Sequence, residues 1–402
     1  MTSPSESLAS PRLWLAFAIM MLVGGIGNSF PVFFPPLLAE FGGSRAATAL
    51  TVTLMWTGGA LFGPLAGYVV GRGDPRWLIT VGLLVSAAGL LVGATAPTLD
   101  VFTLAVGAGV GIGVGLTGMV TQAAVVADAY VKRRGFATGI AFSGSMAGYV
   151  LAIPVHWAIT RVGWRGAVAA WSVAVLALIP GVWWAYPRRL GARAAGGALR
   201  GAAAPRVRGI VASLPFAMLM IVFTLAPFVG YLATTQHAVY AESIGFSAWE
   251  ASLMLMIGGV LSTSGRAIAG LSCDRLGAST SGFISYGMTL FGTLCLVGLD
   301  LLPSRVLAYA YVMFVFLPLG TRATIVSILV SRIAPPAAFG TVFGLLAIGN
   351  NLGAGAGPLL SGLIFDLTQS YLAIYLTAVG FVTIALVALV IFVRRTSEPA
   401  AY

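Results

Sequence analysis

Long apolar runs recur along the whole chain and are separated by short polar or Gly/Pro-rich segments. A helix of about 20 residues crosses the roughly 30 Å hydrocarbon core of a bilayer. The runs reach that length and lack the alternation of apolar and polar residues typical of a transmembrane strand. The pattern therefore predicts twelve helical spans, near residues 12–36, 47–70, 77–96, 101–129, 136–160, 165–186, 210–240, 248–271, 279–299, 304–331, 339–365 and 371–393.

A stretch rich in Ala, Gly and Arg interrupts this pattern in the middle of the chain and predicts a linker between two halves. The first span is too long and lacks the cleavage site of a signal peptide, so we expect it to be retained. The predicted organisation is a cytoplasmic tail 1–11, an N-terminal six-helix bundle 12–186, a cytoplasmic linker 187–209, a C-terminal six-helix bundle 210–393 and a cytoplasmic tail 394–402.

Glycines repeat between the two halves. A constant offset of 205 residues relates Gly135, Gly139, Gly144 and Gly148 in the fifth span to Gly340, Gly344, Gly349 and Gly353 in the eleventh. Four glycines in register at equivalent spans favour an internal duplication. Small residues at this spacing let neighbouring backbones approach closely in lipid.

Composition excludes a water-soluble protein, because 59% of the residues are hydrophobic and 8% are charged, against roughly 45–50% and 25% in soluble domains.

The formal net charge is +11. The basic residues form short clusters between spans, which argues against a nucleic-acid partner. With a cytoplasmic N-terminus, sixteen Lys and Arg residues fall on the inner side and four on the outer side. The chain is therefore predicted to be a multi-pass protein of a bacterial inner membrane, with both termini cytoplasmic.

Two arginines remain inside apolar spans, Arg266 and Arg322. An arginine within a span costs at least about 2.5 kcal/mol on insertion scales, so it normally has a counter-charge or a ligand. The acidic residues all lie near helix ends or in tails, so Arg266 is a candidate carboxylate-binding residue. The alternative is a packing arginine that pairs with Asp274 or snorkels. Substrate contact and helix packing both stay open for Arg322.

Other polar residues inside spans are candidates for substrate binding, with interhelical hydrogen bonding as the equal alternative. They are Asn28, Gln122, Tyr149, His237, Asn350 and Asn351. The histidine is also able to relay protons. The two cysteines have neither metal-ligand spacing nor the look of a disulfide framework, and no metal or cofactor is predicted.

Two cytoplasmic turns carry paired charges and predict a conformational latch, which holds one state of the protein without touching the substrate. The latch residues are Arg72, Arg76, Asp274 and Arg275.

Local strings in both halves resemble the major facilitator superfamily, and within it the monocarboxylate transporters and oxalate/formate antiporters. The strings are Tyr130-Val-Lys-Arg-Arg134 with Gly163-Trp-Arg-Gly166, Val32-Phe-Phe34 with Glu40-Phe-Gly42, and Gly357-Pro-Leu-Leu-Ser-Gly362 with Asp366. The resemblance implies two six-helix bundles around a central site with alternating access, and small organic anions as substrates. In this resemblance Arg266 matches the carboxylate-binding arginine of the family.

Two departures from the family pattern leave the coupling open. Ser262 stands where the family has an acid one turn before the arginine, and Asn28 aligns with the lysine of animal members. Proton symport and anion antiport are both retained, and Arg322 leaves room for a dicarboxylate.

The sequence thus predicts an all-α membrane protein that transports small mono- or dicarboxylates by secondary active transport and functions as a monomer. It is not predicted to be an enzyme, and no Gly-rich phosphate loop followed by Lys-Ser/Thr is present. The alternative is an efflux carrier for neutral or lipophilic compounds, because fold does not set function.

Overall fold

The computed structural model describes residues 10–130, 134–190 and 204–397, and the regular structure in these ranges is helical. The helices are α1 Pro11–Phe41, α2 Arg45–Val70, α3 Pro75–Ala94, α4 Leu99–Phe102, α5 Gly109–Thr117, α6 Met119–Ala129, α7 Arg134–Ala147, α8 Ala152–Leu176, α9 Ile179–Ala185, α10 Ala204–Val211, α11 Leu214–Thr234, α12 His237–Ser243, α13 Ala248–Leu276, α14 Ala278–Leu301, α15 Arg305–Val330, α16 Pro336–Thr368 and α17 Tyr371–Ser397. A π-helical segment, Thr103–Ala108, joins α4 to α5, and a 3₁₀ turn, Gly148–Leu151, joins α7 to α8.

Ten helical segments of the described chain are long and apolar enough to cross a membrane. One of them, Phe136–Ala185, is 50 residues long and holds both the fifth and the sixth predicted spans. Gly163 breaks it with φ 71° between those two spans, in the left-handed region that glycine adopts without strain. The eleventh predicted span coincides with α16, which has 33 residues. The all-α architecture with twelve spans is confirmed.

Several predicted boundaries differ from the structure. The first span was expected to end at residue 36, whereas α1 continues to Phe41 although Pro31, Pro35 and Pro36 lie inside it. Residues 204–209 of the predicted linker are helical. Residues 1–9, 131–133, 191–203 and 398–402 lie outside the described ranges, and with them Lys132, Arg133 and most of the predicted linker.

The described residues form two compact units. The first consists of Met1–Leu199 with Gln236–Gly259, and the second of Arg200–Thr235 with Val260–Tyr402. Helix α12 and the first turns of α13 therefore belong to the first unit. The predicted bundle boundaries, 12–186 and 210–393, stay a prediction.

Close helix packing in each unit depends on glycines. In the first unit, a Cβ on Gly148 would lie 2.3 Å from Cα of Gly25 in α1. In the second unit, a Cβ on Gly353 of α16 would lie 2.0 Å from the carbonyl oxygen of Thr224 in α11. Real Cβ atoms do not approach that closely, so only glycine permits these separations.

Candidate substrate site

Arg266 lies in α13 and is partly buried, with its Nε atom fully buried. Within the ranges that the structure describes, this Nε has no hydrogen-bond partner and the guanidinium has no ion pair. The predicted alternative, a pair with Asp274, is not formed, since Asp274 is exposed and has no carboxylate–guanidinium contact within 4.0 Å among these residues. A partly buried guanidinium without a counter-charge is suited to bind an anion.

Ser262, one turn before Arg266, packs against the neighbouring helix. It is fully buried, and its hydroxyl donates to the carbonyl oxygen of Phe316 in α15 at 2.7 Å. On the same face of α13, a Cβ on Gly265 would lie 2.5 Å from the carbonyl oxygen of Leu317. Ser262 therefore supplies an interhelical hydrogen bond at the position where the resembling family has an acid.

Arg322 differs from Arg266 because both of its terminal nitrogens donate hydrogen bonds within the second unit, although its Nε, like that of Arg266, has no partner among the described residues. It is 3% exposed, and its Nη1 donates to the carbonyl oxygen of Ala226 at 2.7 Å. Its Nη2 donates to the hydroxyl of Thr289, and the guanidinium carbon lies 4.6 Å from the centroid of the Tyr286 ring. Both terminal nitrogens and one face of this cation are thus occupied by the protein itself.

The groups around Arg322 converge on a proline break in α11. Pro227 has no backbone N–H, so the carbonyl of Phe223 loses its helical donor. Asn350 of α16 supplies one, with Nδ2 donating at 3.0 Å. Tyr286 of α14 donates its hydroxyl to the adjacent carbonyl of Val222 at 2.6 Å. Three helices therefore place side-chain donors on the backbone beside Pro227, which gives Asn350 and Arg322 a structural role.

Asn28 and Gln122 satisfy backbone carbonyls in the first unit and are both fully buried. Asn28 donates to the carbonyl oxygen of Ser145 at 2.6 Å, which joins α1 to α7. Gln122 donates to the carbonyl of Thr117 at 2.8 Å and accepts from the hydroxyl of Tyr186 at 2.7 Å. Thr117 precedes the break at Gly118 between α5 and α6, where its carbonyl lacks a helical donor.

The other predicted binding residues are distributed over both units. His237 is 4% exposed and its Nε2 lies 3.2 Å from the carbonyl oxygen of Ala251. Tyr149 is buried in the 3₁₀ turn, where Gly259 of α13 packs against it. Asn351 is partly buried and makes no hydrogen bond within the described ranges. The predicted residues thus belong to both units, with Asn28, Gln122, Tyr149 and His237 in the first and the others in the second.

The turn between α2 and α3 contains one ion pair of the predicted latch. Asp74 caps α3 and pairs with Arg76 at 2.6 Å, and the arginine stacks over the ring of Trp183 at 4.7 Å. The hydrogen bonds from Arg76 hold the pKa of the Asp74 carboxyl below its ordinary value. Arg72 lies 3.8 Å from the centroid of the Tyr68 ring. Asp274 and Arg275 are both exposed, so the latch stays a prediction.

Tyr286 and Thr263 are the polar residues that the sequence did not single out. Thr263 lies one turn before Arg266, and its buried hydroxyl has no hydrogen-bond partner in the described part of the chain. The proline in the seventh span indicates that the carbonyl of Phe223 needs a donor, which Asn350 supplies, but it does not indicate the bond from Tyr286 to the carbonyl of Val222. Nothing in the sequence distinguishes Thr263 from the other threonines of the spans.

A family model described as the Major Facilitator Superfamily matches residues 13–328. The chain belongs to the major facilitator superfamily. It is therefore a multi-pass membrane transporter of a small-molecule substrate, and the predicted membership is confirmed.

Among curated proteins, this superfamily member is similar to monocarboxylate transporter 13 of Rattus norvegicus, with 25% identity over 382 residues that cover 91% of this chain and 84% of the rat protein. The Bos taurus monocarboxylate transporter 13 is 25% identical over 371 residues, covering 91% and 85%.

Solved structures show the same fold. A D-xylose-proton symporter superposes with a TM-score of 0.76 at 17% identity, covering 95% of this chain and 96% of the symporter. A bacterial homologue of the human lysosomal transporter Spinster gives 0.74 at 17% identity, covering 97% and 98%. At this identity the likeness concerns the fold alone.

Proposed function

We propose that the chain is a secondary active carrier of small organic anions, and that carboxylates with a single negative charge are its main substrates. The observation that carries the proposal is Arg266, a span arginine whose whole guanidinium makes no hydrogen bond and no ion pair in the described ranges. A guanidinium is planar, always charged and matched to the two oxygens of a carboxylate. The relatives named monocarboxylate transporters support the same substrate class.

The preference for a single charge comes from Arg322. A dicarboxylate would need a second cation, and Arg322 was the sequence-based candidate. Its terminal nitrogens already donate to Ala226 and Thr289, and its face is stacked on Tyr286. Taking it from these partners would leave buried acceptors unsatisfied, which is unfavourable in a membrane interior.

The proposal also covers the membrane location of the protein and the ion that drives transport. The excess of Lys and Arg on one side favours cytoplasmic termini in a bacterial inner membrane. Proton symport and anion exchange differ in whether a pH gradient drives uptake. Ser262 has no titratable group in the usual range, so a proton would have to be carried elsewhere.

The test is uptake of radiolabelled acetate, butyrate, benzoate and succinate into proteoliposomes, with and without a pH gradient. Wild type is compared with Arg266→Ala and with Arg305→Ala, which removes an exposed arginine from the same unit. We expect saturable uptake of a monocarboxylate that Arg266→Ala abolishes and Arg305→Ala retains. Each lost charge-assisted hydrogen bond is worth about tenfold to hundredfold in affinity. Full transport by Arg266→Ala would overturn the proposal, and no uptake of any acid would favour a carrier of neutral compounds.

A further inference from the structure

Thr263 departs from the usual behaviour of a threonine within a membrane helix. Such hydroxyls normally donate to a carbonyl one turn earlier. Thr377 does so to Ala373 at 2.7 Å, and Thr383 to Val379 at 2.8 Å. The hydroxyl of Thr263 is buried and has no partner of any kind in the described part of the chain. A buried hydroxyl without a partner is unfavourable and calls for an explanation.

The position of Thr263 on α13 places it beside Arg266. Successive residues of a helix are rotated by about 100°, so residues three apart lie about 60° from each other on the same side, roughly one turn along the axis. The buried Nε of Arg266 is also without a partner among the described residues. One side of α13 thus carries two adjacent polar groups that the described protein leaves unsatisfied.

The other sides of α13 either pack against a neighbouring helix or are exposed. Ser262 and Gly265 pack against α15. Ser264, Ala267 and Ile268 are exposed, as expected for a surface that faces lipid. The side that carries Thr263 and Arg266 lies between these two.

The backbone leaves room on this side of α13. Gly270 follows Arg266 by one turn, and a Cβ added there would meet no atom within 4 Å. This side of α13 is therefore open one turn beyond Arg266.

From this arrangement we propose that Thr263 is a second anion-binding residue, whose hydroxyl donates a hydrogen bond to the same carboxylate that Arg266 holds. The inference rests on the proposed function and adds a binding residue to it. A hydroxyl strengthens the binding of an acceptor without adding a second positive charge. The pair therefore suits a monoanionic carboxylate and disfavours a carboxamide of the same shape, whose NH₂ group donates instead of accepting.

The experiment measures equilibrium binding of radiolabelled butyrate and benzoate to the purified full-length chain, with butyramide as a competitor. Thr263→Val keeps the shape and removes the hydroxyl, Thr263→Ser keeps the hydroxyl, and Thr263→Ala is a second variant without it. The matched control is Thr383→Val, because that hydroxyl is used within its own helix. Thermal unfolding of each sample reports whether the variant is folded.

We expect Thr263→Val and Thr263→Ala to raise the Kd by about tenfold, the loss typical of one hydrogen bond to a charged group. Thr263→Ser should restore most of the affinity, and Thr383→Val should leave it unchanged. Adding Thr263→Val to Arg266→Gln should cause little further loss, because both groups act on one carboxylate. Butyramide should compete poorly with wild type.

Two results would overturn the inference, and they differ in what else they overturn. If binding depends on Arg266 but Thr263→Val and Thr263→Ala bind with wild-type affinity, Thr263 is not a ligand-binding residue and the carrier function stands. If wild type binds neither acid saturably, both the inference and the proposed function are wrong.

Discussion

In the first unit, Gly144 and Gly148 lie against α1, and in the second unit their counterparts at the 205-residue offset, Gly349 and Gly353, lie against α11. Gly139 and its counterpart Gly344 both face open space. The glycine repeat found in the sequence therefore corresponds to a repeated helix contact. This supports the interpretation that one half of the chain duplicates the other.

The two units differ in how they use buried polar groups. In the first unit, Asn28 and Gln122 donate to backbone carbonyls. In the second, Arg322 and Asn350 do the same beside Pro227, whereas Arg266 makes no hydrogen bond and no ion pair among the described residues. The duplicated scaffold is thus stabilised similarly in both units, and the cation available for a ligand lies in one of them.

The repeated glycine contact can be broken by adding a methyl group. Gly148→Ala and Gly353→Ala place a Cβ 2.3 Å and 2.0 Å from backbone atoms of the facing helix, and we expect each to lower the free energy of unfolding by about 3 kcal/mol. The controls are Gly139→Ala and Gly344→Ala, where nothing lies within 4 Å. Thermal unfolding in detergent checks this. Equal destabilisation by test and control variants would show that the close contacts at Gly148 and Gly353 do not determine the loss of stability.

The structural role of Arg322 can be tested by a substitution that keeps the positive charge and removes the two terminal nitrogens of the guanidinium. The single ammonium of Arg322→Lys cannot reach both Ala226 and Thr289, so we expect a loss of about 2 kcal/mol in the free energy of unfolding. Arg332→Lys, at an exposed position, is the matched control and should change stability little. If Arg322→Lys were as stable as wild type, the structural role would be wrong and Arg322 would again be a candidate substrate-binding residue.

The smallest effect is expected from Asp74, the acid in the turn between α2 and α3. Because hydrogen bonds from Arg76 lower the pKa of Asp74, the pair contributes stability that is full above the ordinary carboxyl pKa and is lost as pH falls through the lowered value. The contribution should be below about 1 kcal/mol, since the pair is partly exposed. Asp74→Asn should therefore flatten the acid limb of a plot of Tm against pH. Asp274→Asn, the second-unit counterpart without such a pair, should not.

The predicted latch is tested separately, with the single variant Asp274→Asn. Asp274→Asn should shift the balance between inward-open and outward-open states, measured as spin-label distances, more than it changes substrate affinity. An unchanged balance would count against a latch in the second turn.

The spans were predictable from the sequence because apolar length alone decides which segments can cross a bilayer. Local breaks were not. Hydropathy does not register the π-helical segment Thr103–Ala108 or the break at Gly118, which depend on backbone hydrogen bonding. The extension of α1 to Phe41 was missed because Pro35 and Pro36 are typical of a helix end, whereas α1 continues past them.

The candidate site was predictable in part. Arg266 and Arg322 both stand out as charges within apolar runs, and the sequence favours Arg266 as the carboxylate-binding residue while leaving substrate contact and helix packing open for Arg322. They are distinguished by the carbonyl of Ala226 and the hydroxyl of Thr289, which reach Arg322 only through the packing of α11, α14 and α15. Thr263 had no sequence signal, because its distinguishing property is the absence of a hydrogen bond that most span threonines make.

The claim that Arg266 binds the substrate and Arg322 stabilises the fold is tested most directly by measuring binding and stability on the same samples of wild type, Arg266→Gln and Arg322→Gln. Equilibrium binding of radiolabelled butyrate is normalised to the folded fraction, and thermal unfolding is recorded for each protein. We expect Arg266→Gln to lose binding and keep its Tm, whereas Arg322→Gln should lose stability while its folded fraction still binds. The reverse pattern, with Arg266→Gln binding normally and folded Arg322→Gln unable to bind, would contradict that claim.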